Sequence, residues 1–160
     1  MRDEILGILK KLSEEGVSFL VVGGFAVNIY GFNRNTGDLD ILLDDTLENR
    51  RNLRNSFKQL GIGDFKQLET IPLIAGWTDI SLDFGFKLDL MVNLKGLEGI
   101  PFDHLKEKAT TVEIDGHFVD FIDYQNLLKT KIATNRPKDQ EDVRELKKIN
   151  DSAENTKKLE

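Results

Sequence analysis

Thr36-Gly37-Asp38-Leu39-Asp40-Ile41-Leu42-Leu43 is the stretch on which the fold reading turns. Asp38 and Asp40 alternate with Leu39, Ile41 and Leu43, a period of two that reads as a strand with one apolar and one acidic face. On such a strand the two carboxylates share a side, roughly 6–7 Å apart along the backbone. The leucines and isoleucine claim the other side for a core. Alone, Asp-X-Asp reads first as solvated charge at a sheet edge. The flanks must decide.

Upstream, Val17 to Val22 is a short apolar run favouring a strand, followed by Gly23-Gly24 and a short helical segment, Phe25 to Tyr30, ended by Gly31. Before it, Ile5, Leu6, Ile8, Leu9 and Leu12 recur at helical spacing, with Gly16 as the stop. Downstream, Thr46 caps a helix to Leu60 that Gly61 terminates, with a solvated basic face from Arg50 to Lys58. Residues Asp64 to Lys87 read as strand-like pieces broken by Pro72, Gly76 and Gly85. Leu88 to Leu94 alternates again, with Asp89 among apolar neighbours. Pro101 to Lys108 reads as a short helix, and Asp115-Gly116 joins two strands, Thr110 to Ile114 and His117 to Ile122. Asp123 caps a helix through Ala133, and Pro137 opens another over Lys138 to Ile149. This order describes an α/β (α+β) fold, a small mixed sheet flanked by helices with short helices at the C-terminal end. Residues 1–150 are expected to form a single domain, and 151–160 a polar, disordered tail.

Hydrophobic residues make up 39% and charged residues 31% of the 160, which fits a globular domain rather than a disordered chain. No apolar run reaches the roughly 20 residues of a membrane span, and the start, Met1-Arg2-Asp3-Glu4, is unlike a signal peptide. A cytoplasmic location is expected. Cysteine is absent, which excludes disulfides and thiolate metal sites. The net charge of −6 gives no overall attraction for a polyanion and argues against non-specific DNA binding.

Asp89 adds a third carboxylate. If its strand neighbours that of Asp38 and Asp40 at about 4.8 Å, three anions converge. At an effective dielectric near 20, each pair about 5 Å apart costs on the order of 3 kcal/mol. Protonation or a bound cation must relieve this, and oxygen ligands suit Mg²⁺ or Mn²⁺. Metal ions held so can activate a hydroxyl and stabilise departing pyrophosphate in an in-line displacement. Asp79 and Asp83 compete with Asp89 for the third place; the apolar alternation around Asp89 favours it. Gly23-Gly24 permits close backbone approach, and N–H groups at a helix start attract phosphate. A tight strand-to-helix turn explains the pair equally well. Neither the dinucleotide-binding nor the P-loop glycine pattern is present, and Leu42 spoils an EF-hand beginning at Asp38. His104 and His117 lie apart from the acidic motif and read as surface or hairpin residues. Trp77, Phe84 and Phe86 could stack a base, with a core role favoured. Arg136, Lys138 and Asp139 could form a salt-bridged corner or touch substrate.

Taken in order, Gly23-Gly24-Phe25-Ala26-Val27, Gly31 and Arg34-Asn35-Thr36-Gly37-Asp38-Leu39-Asp40-Ile41 resemble the signature of the nucleotidyltransferase superfamily that includes DNA polymerase β. Within it the chain is similar to the minimal, AbiEii-like toxin group. Lys129 to Asp142, with Arg136-Pro137-Lys138-Asp139 at its centre, is similar to that group's ending. The likeness spans about Phe19 to Leu146. It implies that Gly23 and Gly24 face a triphosphate, that Asp38, Asp40 and Asp89 are catalytic and bind a pair of Mg²⁺ or Mn²⁺ ions, and that Asp89 is a metal ligand or the base. It further implies that Lys131 reaches toward the phosphates and that Arg34 and Thr36 shape the loop before Asp38. Many relatives have Gly-Ser where this chain has Gly23-Gly24, so phosphate contact would rely on backbone N–H groups.

The function implied is transfer of a nucleoside monophosphate from a nucleoside triphosphate (ATP among the candidates) to a hydroxyl on RNA (tRNA) or protein, releasing pyrophosphate. The setting implied is a toxin–antitoxin or phage-defence system, with an antitoxin as partner. The alternative is a non-catalytic module that binds a nucleotide or partner through the same fold. A metal-dependent hydrolase is a third reading.

Overall fold

The computed structural model describes residues 3–83 and 85–157, side chains of 154–157 apart. Six strands form one mixed sheet in the order β3-β4-β2-β1-β6-β5. Helix α1 (Asp3–Glu14) buries Ile5, Ile8, Leu9 and Leu12, the stripe that helical spacing predicts. It leads into β1 (Phe19–Val21), which runs antiparallel to β2 (Asp38–Leu43) with Phe19 opposite Leu43 and Val21 opposite Ile41. Helix α2 (Gly23–Ile29) follows β1 at once. It includes both glycines, which the sequence reading leaves in a turn ahead of the helix. Val22 N–H donates to Asp40 O at 3.0 Å. The chain thus enters α2 beside the start of β2.

Thr46 caps α3 (Leu47–Gln59) by accepting from Asn49 N–H, as its position predicts. The segment that resists reading holds a single 3-10 turn, Lys66–Glu69, and a short edge strand β3 (Asp79–Ser81). β4 (Lys87–Met91) lies parallel to β2, with Asp40 opposite Asp89 and Asp38 opposite Lys87. Helix α4 (Phe102–Glu107) precedes the hairpin of β5 (Thr110–Ile114) and β6 (His117–Phe121). Asp115 and Gly116 at its turn both have positive φ, as a two-residue hairpin loop requires. β6 pairs with β1 in parallel and hands the chain to α5 (Tyr124–Thr134), capped by Asp123. α5 packs against α6. α6 runs Pro137–Lys157, beyond the Ile149 end suggested by the sequence; no Gly or Pro interrupts the polar stretch after it. Residues 158–160 of the expected tail lie outside the described residues.

Leu39, Ile41, Leu43, Leu88 and Leu90 are at most 2% exposed. Burying each contributes about 1.5–3 kcal/mol, and that preference fixes the opposite face of β2 and β4 as the acidic one. A one-residue slip of either strand would turn its aspartates into the core.

Candidate active site

β1 ends, and β2 and β4 begin, at the same edge of the sheet, so three chain segments meet there. A cleft of about 470 Å³ opens at this edge, and Gly23, Gly24, Arg34, Thr36, Asp38, Asp40, Asp89 and Lys131 all line it. These are the residues the sequence singles out, and the fold brings every one of them to one cavity. Asp79 is not on that lining; it pairs with Lys87 at 3.4 Å on the edge strand. Asp83 lines a different hollow, near Leu60 and Ser81. Register decides between the rivals, because Asp89 is the residue directly opposite Asp40.

Asp40 is held from the backbone. Gly24 N–H donates to its Oδ2 at 3.4 Å. Gly23 has φ +62, and a Cβ there would overlap the Asp40 carboxylate. Gly24 is packed somewhat less tightly against Thr36, whose Oγ1 would still clash with a Cβ at that position. The glycine pair is therefore what lets β2 and α2 close on each other. Burial pushes the Asp40 carboxyl up to about 6, and the neighbouring Asp89 charge adds to it. Asp89 is raised too, chiefly by burial. Its Oδ2 accepts from Gly76 N–H at 2.7 Å, while its Oδ1 is buried without a hydrogen-bond partner.

Asp38 stands one pleat earlier, opposite Lys87. Convergence is thus tightest between Asp40 and Asp89. Among the described residues no three His, Cys, Asp or Glu side chains make a group that could hold a metal ion. The orphaned Asp89 Oδ1 and the raised Asp40 carboxyl are nonetheless the features of a hard-oxygen site that a cation would satisfy.

The cationic side of the cleft is built from α5 and α6. Lys131 is 4% exposed, and its ammonium is shared between Asp142 at 2.8 Å and Asp139 at 3.2 Å. Its side chain reaches the lining already paired rather than extending free toward phosphates. Asp142 also takes a two-point contact from Arg34, Nε at 2.6 Å and Nη2 at 3.0 Å. Asp139 accepts from Arg136 Nε at 2.7 Å and Thr134 Oγ1 at 2.9 Å. Its burial would raise its carboxyl, but the Arg136, Thr134 and Lys131 contacts outweigh this and hold it well below the usual carboxylate range. Both aspartates are fully buried. The salt-bridged corner at Arg136 and Asp139 is therefore present, and Arg136 and Lys138 line the cleft as well.

Two residue readings change. Trp77 is 85% exposed rather than in the core, because it sits on the 75–77 turn ahead of the edge strand; Phe86 is buried against Phe25 as a core residue should be. Phe84 lies outside the described residues. His104 is exposed on α4, His117 is on the hairpin, and neither lines the cleft. Sequence reasoning misses Gly76, Asn93 and Lys95 on the lining. The backbone N–H that matters at Gly76 leaves no mark in residue identity.

Several solved structures share this fold. A lincosamide antibiotic adenylyltransferase, LnuA, determined with lincomycin bound, aligns with TM-score 0.61 at 14% identity, covering 93% of this chain and 98% of that one. A putative nucleotidyltransferase from Thermotoga maritima aligns with TM-score 0.58 at 17% identity, covering 91% and 93%. The antibiotic-resistance factor ANT(2'')-Ia, in complex with adenylyl-2''-tobramycin, aligns with TM-score 0.53 at 18% identity, covering 91% and 90%. At these identities the likeness shows the fold. No curated protein matches the chain. Residues 1–160 match the model of a family described as nucleotidyl transferase of unknown function (DUF2204), and the chain, a transferase, belongs to that family.

Proposed function

We propose that this enzyme transfers a nucleoside monophosphate from a nucleoside triphosphate to an acceptor hydroxyl at the cleft floored by Asp40 and Asp89. The observation carrying this reading is the in-register Asp40–Asp89 pair, half-buried, with a raised carboxyl and a buried, unpartnered oxygen, on the lining of a cation-lined cavity.

In this reading Asp40 and Asp89, with Asp38 beside them, would hold Mg²⁺ or Mn²⁺ (a pair of ions, by the resemblance), which when bound neutralises charge on the transferring phosphoryl group. The chain's own residues do the rest. Arg34, Lys131, Arg136 and Lys138 attract the triphosphate, and their anchoring to Asp139 and Asp142 keeps the first three from reorganising as it arrives. Gly23 and Gly24 let the α2 backbone approach the phosphates without side-chain obstruction. Thr36, packed on Gly24, fixes the loop before Asp38. The acceptor oxygen bonds to the α-phosphorus as the bridge to the β-phosphate breaks and pyrophosphate leaves. Asp89, a cleft-lining carboxylate, is the residue this reading assigns to take the acceptor's proton.

The resemblance supports an RNA (tRNA) or protein acceptor in a toxin–antitoxin or phage-defence setting, with an antitoxin partner. Two structural neighbours point instead to small antibiotics: LnuA was determined with lincomycin bound and ANT(2'')-Ia with adenylyl-2''-tobramycin. ATP is the candidate donor on the same ground, since LnuA is an adenylyltransferase. No helix among the described residues is long and apolar enough to cross a membrane; a cytoplasmic site of action, where nucleoside triphosphates are held, completes the reading.

The test is incubation with each labelled nucleoside triphosphate and Mg²⁺, scoring pyrophosphate and labelled adduct over RNA, protein and small-molecule acceptors. Adduct formation that disappears in Asp40→Asn and Asp89→Asn is the expected result. Free nucleoside monophosphate alone would mean hydrolysis, and tight triphosphate binding without turnover would mean a binding module.

A further inference from the structure

Trp77 is the chain's only tryptophan; it is 85% exposed and directly follows Gly76, which lines the cleft. Tryptophan is highly buried on average, so a bare indole beside a reactive centre calls for a reason. Its turn is well tied. Ile74 N–H donates to Thr78 Oγ1, and the N–H groups of Trp77 and Thr78 both donate to Ile74 O, each at 2.9 Å. Leu90 N–H donates to Thr78 O at 2.9 Å, and Gly76 N–H donates to Asp89 Oδ2 at 2.7 Å. The turn is thus pinned to β4 and to the carboxylate itself. Ala75 and Gly76 form part of the cleft wall, and the Trp77 Cα lies one peptide, about 3.8 Å, beyond that of Gly76.

The cleft is divided by charge. Its cations come from the loop before β2, from α5 and α6, and from Lys95, whose neighbour Gly96 packs on Lys129 and Ala133 of α5; the Trp77 turn belongs to the β3–β4 edge of the sheet. On the Trp77 side stand Asp79 and Asp89, and Lys87 there is engaged with Asp79. Resting on the transfer reading, an in-line displacement draws pyrophosphate toward the cations and brings the acceptor from the other side. That side offers an indole face, the exposed Ile74 and carboxylates. A polyanionic acceptor would be repelled there. A hydroxylated ring can lay its C–H face on the indole, and amines on that ring gain from the carboxylates and the π-face alike.

We propose that Trp77 is the acceptor-recognition residue of this enzyme, and that the acceptor is a small amine-bearing sugar whose ring stacks on the indole. In the step itself one ring hydroxyl oxygen bonds to the α-phosphorus, the bridge to the β-phosphate breaks, pyrophosphate departs, and the hydroxyl proton passes to the Asp89 carboxylate.

The experiment titrates the full chain with a fully deacetylated glucosamine trimer, with maltotriose and with a short single-stranded RNA, following tryptophan emission. Calorimetry then gives affinities for the wild type, Trp77→Phe and Trp77→Ala. The expected result is a saturable emission change with the glucosamine trimer, weaker with maltotriose and absent with RNA. Affinity for the trimer should fall about tenfold in Trp77→Ala and much less in Trp77→Phe. Mg²⁺–ATP affinity should be the same in all three proteins. Unchanged trimer binding in Trp77→Ala, no trimer binding at all, or an emission response to RNA in its place overturns the proposal. Because Trp77 is exposed, its variants keep the fold, and an unchanged melting temperature verifies this. Failure of Mg²⁺–ATP to bind the wild type sinks the transfer reading separately, whereas Mg²⁺–ATP binding without sugar binding sinks only the acceptor assignment.

Discussion

Asp40 serves two opposed requirements: half-buried beside a second carboxylate, it weakens the empty protein, and the same placement makes it a strong cation seeker. Its folded value of about 6 lies above the ordinary 3.8. The raised value means that Asp40's favourable contribution is complete below the unfolded value and is lost as pH rises through about 6. Removing the charge should therefore stabilise the empty protein at higher pH. Asp40→Asn should gain up to about 3 kcal/mol at pH near 8 and nothing near pH 4, read by urea unfolding at both. Nucleotide transfer should vanish in the same variant. Gly23→Ala acts on the same carboxylate from the other side. With φ +62 and the new methyl overlapping Asp40, it should cost about 1–2 kcal/mol in backbone strain alone and reduce transfer more than tenfold. Unaltered melting and activity in this variant would mean that α2 can move away from β2 freely.

The α5–α6 corner is the element whose stability and function are most closely joined. Asp142 holds Arg34 and Lys131 at once, from full burial. Asp142→Ala leaves two cations without their shared partner and should cost about 3–5 kcal/mol in chemical denaturation. Asp142→Asn, which keeps the shape, should fold and show a raised KM for the triphosphate with kcat less affected. At this scale the sequence is a good guide where side chains announce their own geometry. The caps Thr46 and Asp123 and the Asp115-Gly116 turn are where local chemistry puts them. The Asp38–Leu43 alternation foretells which face is acidic, and Asp89 follows by the same logic. Parallel register between β2 and β4 is another matter, because it is set by long-range packing that no local pattern encodes. So is the 71–78 turn, whose shape depends on backbone bonds to Thr78 and Asp89 rather than on propensity. Lys131 illustrates a further gap: a lysine in a motif reads as free, and only the folded α6 reveals its two partners.

For the whole molecule, the sheet order puts the reactive strands β2 and β4 beside each other and leaves the β5–β6 hairpin on the far flank. A ligand that bridges the cations of α5 and the carboxylates of β2 and β4 ties both halves of the sheet together. Mg²⁺–ATP at a hundred times its Kd should then raise unfolding free energy by about 2.7 kcal/mol, seen as a higher Tm. Asp40→Asn should remove most of that gain while raising the melting temperature of the empty protein, a reversal of sign that general destabilisation cannot produce. The two backbone bonds to the carboxylates have a consequence of their own. Gly24 and Gly76 sit on different walls, yet each has its amide proton tied to one of the paired aspartates. Wherever a cation takes over those oxygens, both amides lose an acceptor together. Their deuterium uptake would then accelerate in concert on loading, making two glycines from separate chain segments a matched pair of isotopic clocks for the occupancy of one centre.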